Sequence, residues 1–172
     1  MNSLTLRVVL GIDPGQTGGI VLLADGRVDA VIDMPTFARK AGGQQVDPYR
    51  LSRDLGAALS RHPDAYVLAV IEQVSAMPKQ GSSSGFRFGQ SDGIARGVIG
   101  CKGIPLIEVP PAVWKKHLGL TNAEKDAARG MAIQRFPEAA DQLQRKKDIG
   151  RADAMLIALW AWQTEQAGNR NE

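Results

Sequence analysis

At 172 residues, 44% hydrophobic and 23% charged, the chain is long enough for one compact domain with a substantial core and too apolar to be disordered. Its net charge of +3 admits an acidic partner such as nucleic acid without demanding one. Cys101 stands alone, which excludes an internal disulfide and a cysteine-rich zinc module.

The stretch LRVVLGIDPGQTGG, residues 6–19, organises the chain. Val8, Val9, Leu10 and Ile12 form an apolar run that suits a buried strand, and Pro14-Gly15 ends it sharply. Asp13 closes the run. It is read either as a site residue at the strand mouth or as a turn-capping residue, because a carboxylate is rarely buried unless paired or metal-bound. A second strand follows over residues 17–23 and a third over 27–33, with Asp25-Gly26 as the hairpin turn, so the first three strands are expected as an antiparallel meander. Residues 34–45, with Arg39 and Lys40, read as a loop.

Asp47-Pro48 opens a helix as cap and first residue, with an apolar stripe of Tyr49, Leu51, Leu55, Ala58 and Leu59. His62-Pro63 ends it, and His62 is read as a helix-end residue. Residues 65–71, AYVLAVI, form another buried strand, which ends on Glu72. Residues 75–85 are polar, with Pro78, Lys79 and a Gly-Ser run. A helix is expected over residues 86–101 despite Gly89, Gly93 and Gly97, which recur every fourth residue on one face. Each costs about 1 kcal/mol of helix stability, so the bare face suggests the close approach of the sheet or of a partner helix. Phe86 and Phe88 read as core or interface residues.

A short strand over 104–109 precedes Pro110-Pro111, which begin a short helix carrying Trp114, Lys115 and Lys116. Thr121 and Glu124 form a capping-box pattern for a helix ending near Phe136, before Pro137. A polar, basic segment over 138–147 leads to a last helix from about Gly150 to Gln166. Asp153 sits in its first turn, where the positive helix end also favours an acid. Residues 168–172 look frayed. A secretory signal pattern and a long apolar span are absent, so a soluble cytoplasmic protein is the expectation.

Strands alternating with helices predict an α/β fold in which sites lie beyond the strand ends. Asp13 and Glu72 each end an apolar strand, and the last helix can bring Asp153, with Asp148 just before it, to the same edge. Converging carboxylates without cysteines or a histidine cluster match hard, oxygen-preferring cations, Mg²⁺ or Mn²⁺. Such acids repel one another unless a cation neutralises them. Two ions about 4 Å apart activate water and stabilise both oxygens of a phosphodiester displacement. Asp33 and Glu108 also follow strands, but their spacing suits solvent-exposed ends.

These residues carry a resemblance. Gly11-Ile12-Asp13-Pro14-Gly15, Ile71-Glu72 and the run Arg151-Ala152-Asp153-Ala154-Met155-Leu156-Ile157-Ala158 resemble the ordered motifs of the RuvC family of Holliday junction resolvases, in particular its bacteriophage-like branch. The segment from Phe88 to Gly97 is similar to the family's central helix, and Pro111 to Lys116 to the segment after its last core strand; the likeness covers most of residues 7–162. It implies the RNase H-like fold, a mixed five-stranded sheet with helices on both faces. It also implies metal-binding carboxylates at Asp13, Glu72 and Asp153, two Mg²⁺ per site with Mn²⁺ as substitute, and four-way DNA junctions as substrate. Paired symmetric nicks leaving 5′-phosphate and 3′-hydroxyl ends would follow, cut by a homodimer joined through residues 86–101 in a bacterial or phage-infected cell. The family's further Asp or His lies three residues before the last, where this chain has Gly150; Asp148 is the expected replacement, with a surface pairing to Lys146 or Lys147 as the alternative. Lys79, Arg87, Lys115, Lys116, Lys146, Lys147 and Arg151, with Arg145 and the Arg39-Lys40 loop, are the expected phosphate contacts. Three other readings stand beside this one: a non-catalytic junction binder, an RNase H-like enzyme acting on RNA/DNA hybrids, and a phosphotransfer enzyme, for which the chain is short.

Overall fold

The structure is a computed structural model that describes residues 7–73, 75, 81–124 and 126–168. β1 (Arg7–Asp13), β2 (Gly19–Ala24) and β3 (Arg27–Asp33) form the expected antiparallel meander. Asp25 and Gly26 take φ of 46° and 80° between β2 and β3. Two successive positive values match the twist of a two-residue hairpin, and glycine adopts the second without a Cβ penalty.

The segment expected as a loop instead holds a small hairpin, β4 (Thr36–Ala38) and β5 (Gln44–Val46). Each strand is three residues long and only Val46 is buried, so neither leaves a readable alternation. Next comes α1 (Pro48–Leu59), where the Asp47 carboxylate accepts from the Tyr49 and Arg50 amides at 3.0 and 3.1 Å. Leu51, Leu55 and Ala58 face the core, but Tyr49 is 75% exposed and does not belong to the stripe. At about 100° per residue it lies on the opposite side of the helix.

β6 (Tyr66–Glu72) follows, then α2 (Ser82–Cys101), which begins four residues earlier than the sequence suggested. Lys79 lies outside the described residues. β7 (Leu106–Val109) leads into α3 (Pro111–His117). α4 (Ala127–Arg135) starts later than the Thr121–Glu124 pattern implied. Residues 121 and 122 sit in a turn and Asn122 has φ 57°, a value no α-helical start accommodates. Two short 3₁₀ segments, Pro137–Leu143 and Lys146–Asp148, precede α5 (Ile149–Gly168).

The main sheet has the order β3-β2-β1-β6-β7, with β1, β6 and β7 mutually parallel and β2 antiparallel to its neighbours. Helices cover both faces. Val8, Leu10 and Ile12 of β1 bury against Leu51 and Leu55 of α1 and Ala95 and Ile99 of α2. Val9, Val21 and Val70 face the other way, onto Trp114 of α3 and Met155, Ala158 and Leu159 of α5. The period of two along β1 divides these layers.

Gly11 explains how closely α5 seats. A Cβ there would overlap the Ala154 carbonyl, the Ala158 amide and the Ala158 methyl, so the helix backbone lies directly on β1. The glycines of α2 behave oppositely. A Cβ at Gly89, Gly93 or Gly97 would meet nothing within 4 Å, while Ser91, Ala95, Val98 and Ile99 bury against the chain. Among the described residues, none reaches this bare face. Among the described residues no helix is long and apolar enough to cross a membrane.

Candidate metal centre and nucleic-acid face

Parallel pairing aligns Ile12 of β1 with Ile71 of β6, so Asp13 and Glu72 follow at the same level on adjacent strands. Both isoleucines point into the α1/α2 layer. By alternation the two carboxylates leave the sheet on the opposite face, toward α3 and α5. The contact of Ala154 and Ala158 with Gly11 delivers Asp153, one residue earlier on α5, to that same edge. Three acids from three elements thus meet where the sheet's parallel strands end.

Burial and neighbouring charge both act on Asp13 and Asp153. Burial pushes the Asp13 carboxyl up to about 6; the Gly15 amide, donating at 3.1 Å, opposes this, the Glu72 charge adds to it, and the Lys115 ammonium relieves it. Asp153 is pushed up to about 7, first by burial and then by the charge on Asp13, with Lys115 again opposing and Glu72 adding. Glu72 accepts a 2.9 Å hydrogen bond from the indole N–H of Trp114. Lys115 lies 5.1 Å from the centre of the same indole ring. α3 therefore supplies a donor to one acid and a cation to the other two.

The donor set is all oxygen, which fits a hard divalent cation, and the mutual repulsion is what such an ion would offset. Among the described residues, however, no group of three His, Cys, Asp or Glu side chains stands in a geometry that would itself hold a metal. Asp13 and Glu72 each give an oxygen to a protein donor, and Lys115 is the positive charge felt by Asp13 and Asp153.

No protein-family model matches the chain. It is 35% identical over 154 residues to the crossover junction endodeoxyribonuclease RuvC of Nitratidesulfovibrio vulgaris, covering 87% of both proteins. The chain belongs to the RuvC family. It is also 36% identical over 115 residues to the chloroplastic Holliday junction resolvase MOC1 of Chlamydomonas reinhardtii, which spans 64% of this chain but only 13% of that longer protein. Among solved structures, Thermus thermophilus RuvC in complex with a Holliday junction substrate superposes with a TM-score of 0.62 at 19% identity, over 93% of this chain and 96% of that one. The yeast mitochondrial Holliday junction resolvase Ydc2 does so at 0.51 and 17% identity, over 97% and 83%. At these identities the likeness concerns the RNase H-like fold.

Within this RuvC-family chain Asp148 does not join the other acids. It is 4% exposed and held by Arg145, whose amide, Nε and Nη2 donate at 2.8, 3.0 and 2.7 Å. Arg145 and then Arg151 hold its carboxyl below the usual range, which marks an ion pair rather than a member of a repelling cluster. Its partner is also not Lys146 or Lys147, as the sequence had suggested. Gly150 has a steric reason: a Cβ there would overlap the Thr17 carbonyl and Gly18 Cα, so the loop after β1 packs directly onto the start of α5.

The expected phosphate contacts divide. Lys116, Lys146, Lys147 and Arg87 are exposed. Arg151 is instead committed to Asp33, donating from Nε and Nη2 at 2.5 and 2.6 Å, and to the Gln142 carbonyl at 2.9 Å. Glu108 is exposed and pairs with Arg96 at 2.7 Å. A cavity of about 240 Å³ is lined by Asp153 and Lys115 together with Leu120, Ala128 and Ile149. The sequence reading missed Trp114 as the donor to Glu72. An apolar residue before two lysines gives no sign of where an indole N–H will point. It also missed the contact made by Gly11, although a glycine inside a strand is itself a sign of close backbone approach.

Proposed function

We propose that this chain is a divalent-metal-dependent endonuclease that resolves four-way DNA junctions by paired symmetric nicks, leaving 5′-phosphate and 3′-hydroxyl ends. One observation carries the reading: in a member of the RuvC family, Asp13 and Asp153 are held at the end of the parallel strands, where burial first, and then the charge of Glu72 on Asp13 and of Asp13 and Glu72 on Asp153, raise their carboxyls to about 6 and about 7. Asp13, Glu72 and Asp153 are the proposed ligands for two Mg²⁺, with Mn²⁺ as substitute. When bound, the ions would supply a water of lowered pKa and Lewis-acid stabilisation of the attacking and leaving oxygens.

The chain's own residues supply the rest. The carboxyls of Asp13 and Asp153 would give up their protons to act, with Glu72, as oxygen donors. Lys115, beside Asp13 and Asp153, carries positive charge to where a phosphate would enter. Exposed Lys116, Lys146, Lys147 and Arg87 would position the DNA backbone without reading sequence. Two strands require two sites, and the bare glycine face of α2 with Phe86, 67% exposed, supports a homodimer joined there. Both apolar layers share one main sheet, which supports a single nuclease domain. Placement in the bacteriophage-like branch rests on the motif resemblance, and action in the cytoplasm of a bacterial or phage-infected cell on the DNA substrate.

The test is cleavage of a synthetic mobile-arm junction with Mg²⁺ by the wild type and by Asp13→Asn. Paired nicks by the wild type and none by the variant are expected; an inactive wild type or a fully active variant would refute the reading. A second reading, a junction binder without cleavage, is favoured by Gly150 and by the pairing of Asp148 with Arg145. Tight junction binding with no nicking in either Mg²⁺ or Mn²⁺ would select it.

A further inference from the structure

We infer that Trp114 is a positioning residue of the metal centre, fixing the carboxylate of Glu72 and the ammonium of Lys115 at once. The inference rests on the nuclease reading above and extends it to a residue that is neither acidic nor in reach of solvent.

Trp114 is fully buried in the layer between the sheet, α3 and α5. Its indole N–H points out of that layer to Glu72 Oε1 at 2.9 Å. A glutamate has three side-chain torsions, and an exposed one wanders among their staggered wells. A donor on a ring that the core holds rigid removes that freedom. It also leaves Oε2 unclaimed by Trp114 and available to a cation. The bond is charge-assisted, hence shorter and stronger than a neutral one. The face of the same ring lies under Lys115, whose ammonium is 5.1 Å from the ring centre, within range of a cation–π attraction. That ammonium is the positive group felt by both Asp13 and Asp153. One rigid indole thus touches, by edge and by face, the two side chains that α3 and β6 bring to the site.

Groups that hydrogen-bond a metal ligand from behind typically change metal affinity by about 10–100-fold when removed. A purely structural tryptophan would instead change thermal stability alone. Trp114→Phe keeps a ring in the core and deletes the N–H. Leu118→Ala is the packing control, since Leu118 is buried in the same layer. Three readouts separate the roles: the Mn²⁺ dissociation constant by calorimetry without DNA, the Mg²⁺ concentration giving half-maximal junction cleavage, and the indole N–H resonance of Trp114 in proton–nitrogen correlation spectra.

The expected result is that Trp114→Phe weakens Mn²⁺ and raises the Mg²⁺ requirement by about 10–100-fold, while Leu118→Ala lowers the melting temperature and leaves both unchanged. In the wild type the Trp114 resonance should shift on adding Mg²⁺ and should be displaced in Glu72→Gln. That measurement stands even where the phenylalanine variant folds poorly. If Trp114→Phe binds Mn²⁺ like the wild type, or if the indole signal of Trp114 ignores both Mg²⁺ in the wild type and the Glu72→Gln substitution, the positioning role is overturned while the nuclease reading survives. A wild type that neither binds Mn²⁺ nor cleaves overturns both.

Discussion

Replacing Asp153 with Asn should stabilise the metal-free protein. Asp153 has its carboxyl raised from 3.8 to about 7 by burial and by the charge on Asp13. A folded-state value above the unfolded one means the folded chain binds the proton more tightly. The resulting contribution to stability is fully present below 3.8 and is lost as pH rises through 7. A shift of that size corresponds to about 4 kcal/mol between the two limits, at 1.36 kcal/mol per pH unit. An asparagine never takes the charge, but its amide must also be accommodated, so a net gain of about 2–4 kcal/mol at high pH is expected. For a chain of this size that raises the melting temperature by roughly 5–15 °C. The assay is thermal unfolding of wild type and Asp153→Asn in EDTA from about pH 4 to about pH 8, reading only the difference between them. The difference should be small at the acid end, grow as pH rises and level off above 7. Saturating Mg²⁺ should shrink it, because the ion binds the folded wild type. A difference that is flat with pH, or a variant less stable than the wild type at pH 8, would refute the reasoning that burial and the charge on Asp13 disfavour the ionised Asp153.

Four further outcomes follow from the same geometry. Gly11→Ala should push α5 off β1 and cost about 1–3 kcal/mol by chemical denaturation, and a displacement of about 1 Å at Asp153 should lower junction cleavage about 100-fold. Gly150→Asp should fail to act as an added ligand and should destabilise the fold, because its Cβ meets the backbone of Thr17 and Gly18; a more active and equally stable variant would contradict this. Gly93→Ala and Gly97→Ala should each raise monomer stability by about 0.5–1 kcal/mol and weaken self-association in sedimentation, since α2 is the proposed dimer face. Lys116→Ala and Lys147→Ala should weaken junction binding and reduce its salt slope by about 1 each, whereas Arg151→Ala should act on stability through Asp33.

The parts legible from the sequence are those where one residue's chemistry fixes the local backbone. Asp25-Gly26 can only be a tight hairpin, and Asp47-Pro48 can only open a helix, and both stand where expected. The paired strand ends at Asp13 and Glu72 followed from where the apolar runs stop. Failures came where tertiary contacts decide. Asp148 looked like a spare carboxylate, but Arg145 three residues earlier captures it through three donors. Arg151 looked free for DNA until β3 brought Asp33 against it from 118 positions away. Gly150 looked like a missing acid, and its reason is the backbone of a loop that no local pattern connects to it. The β4–β5 hairpin escaped because strands of three residues carry too few alternations to read.

Anomalous scattering from a Mn²⁺-soaked crystal bears most directly on whether distant acids share a cation. The account predicts peaks bounded by the carboxylates of Asp13, Glu72 and Asp153, with Asp148 still paired to Arg145. Peaks elsewhere, or none at that edge under saturating Mn²⁺, would contradict it.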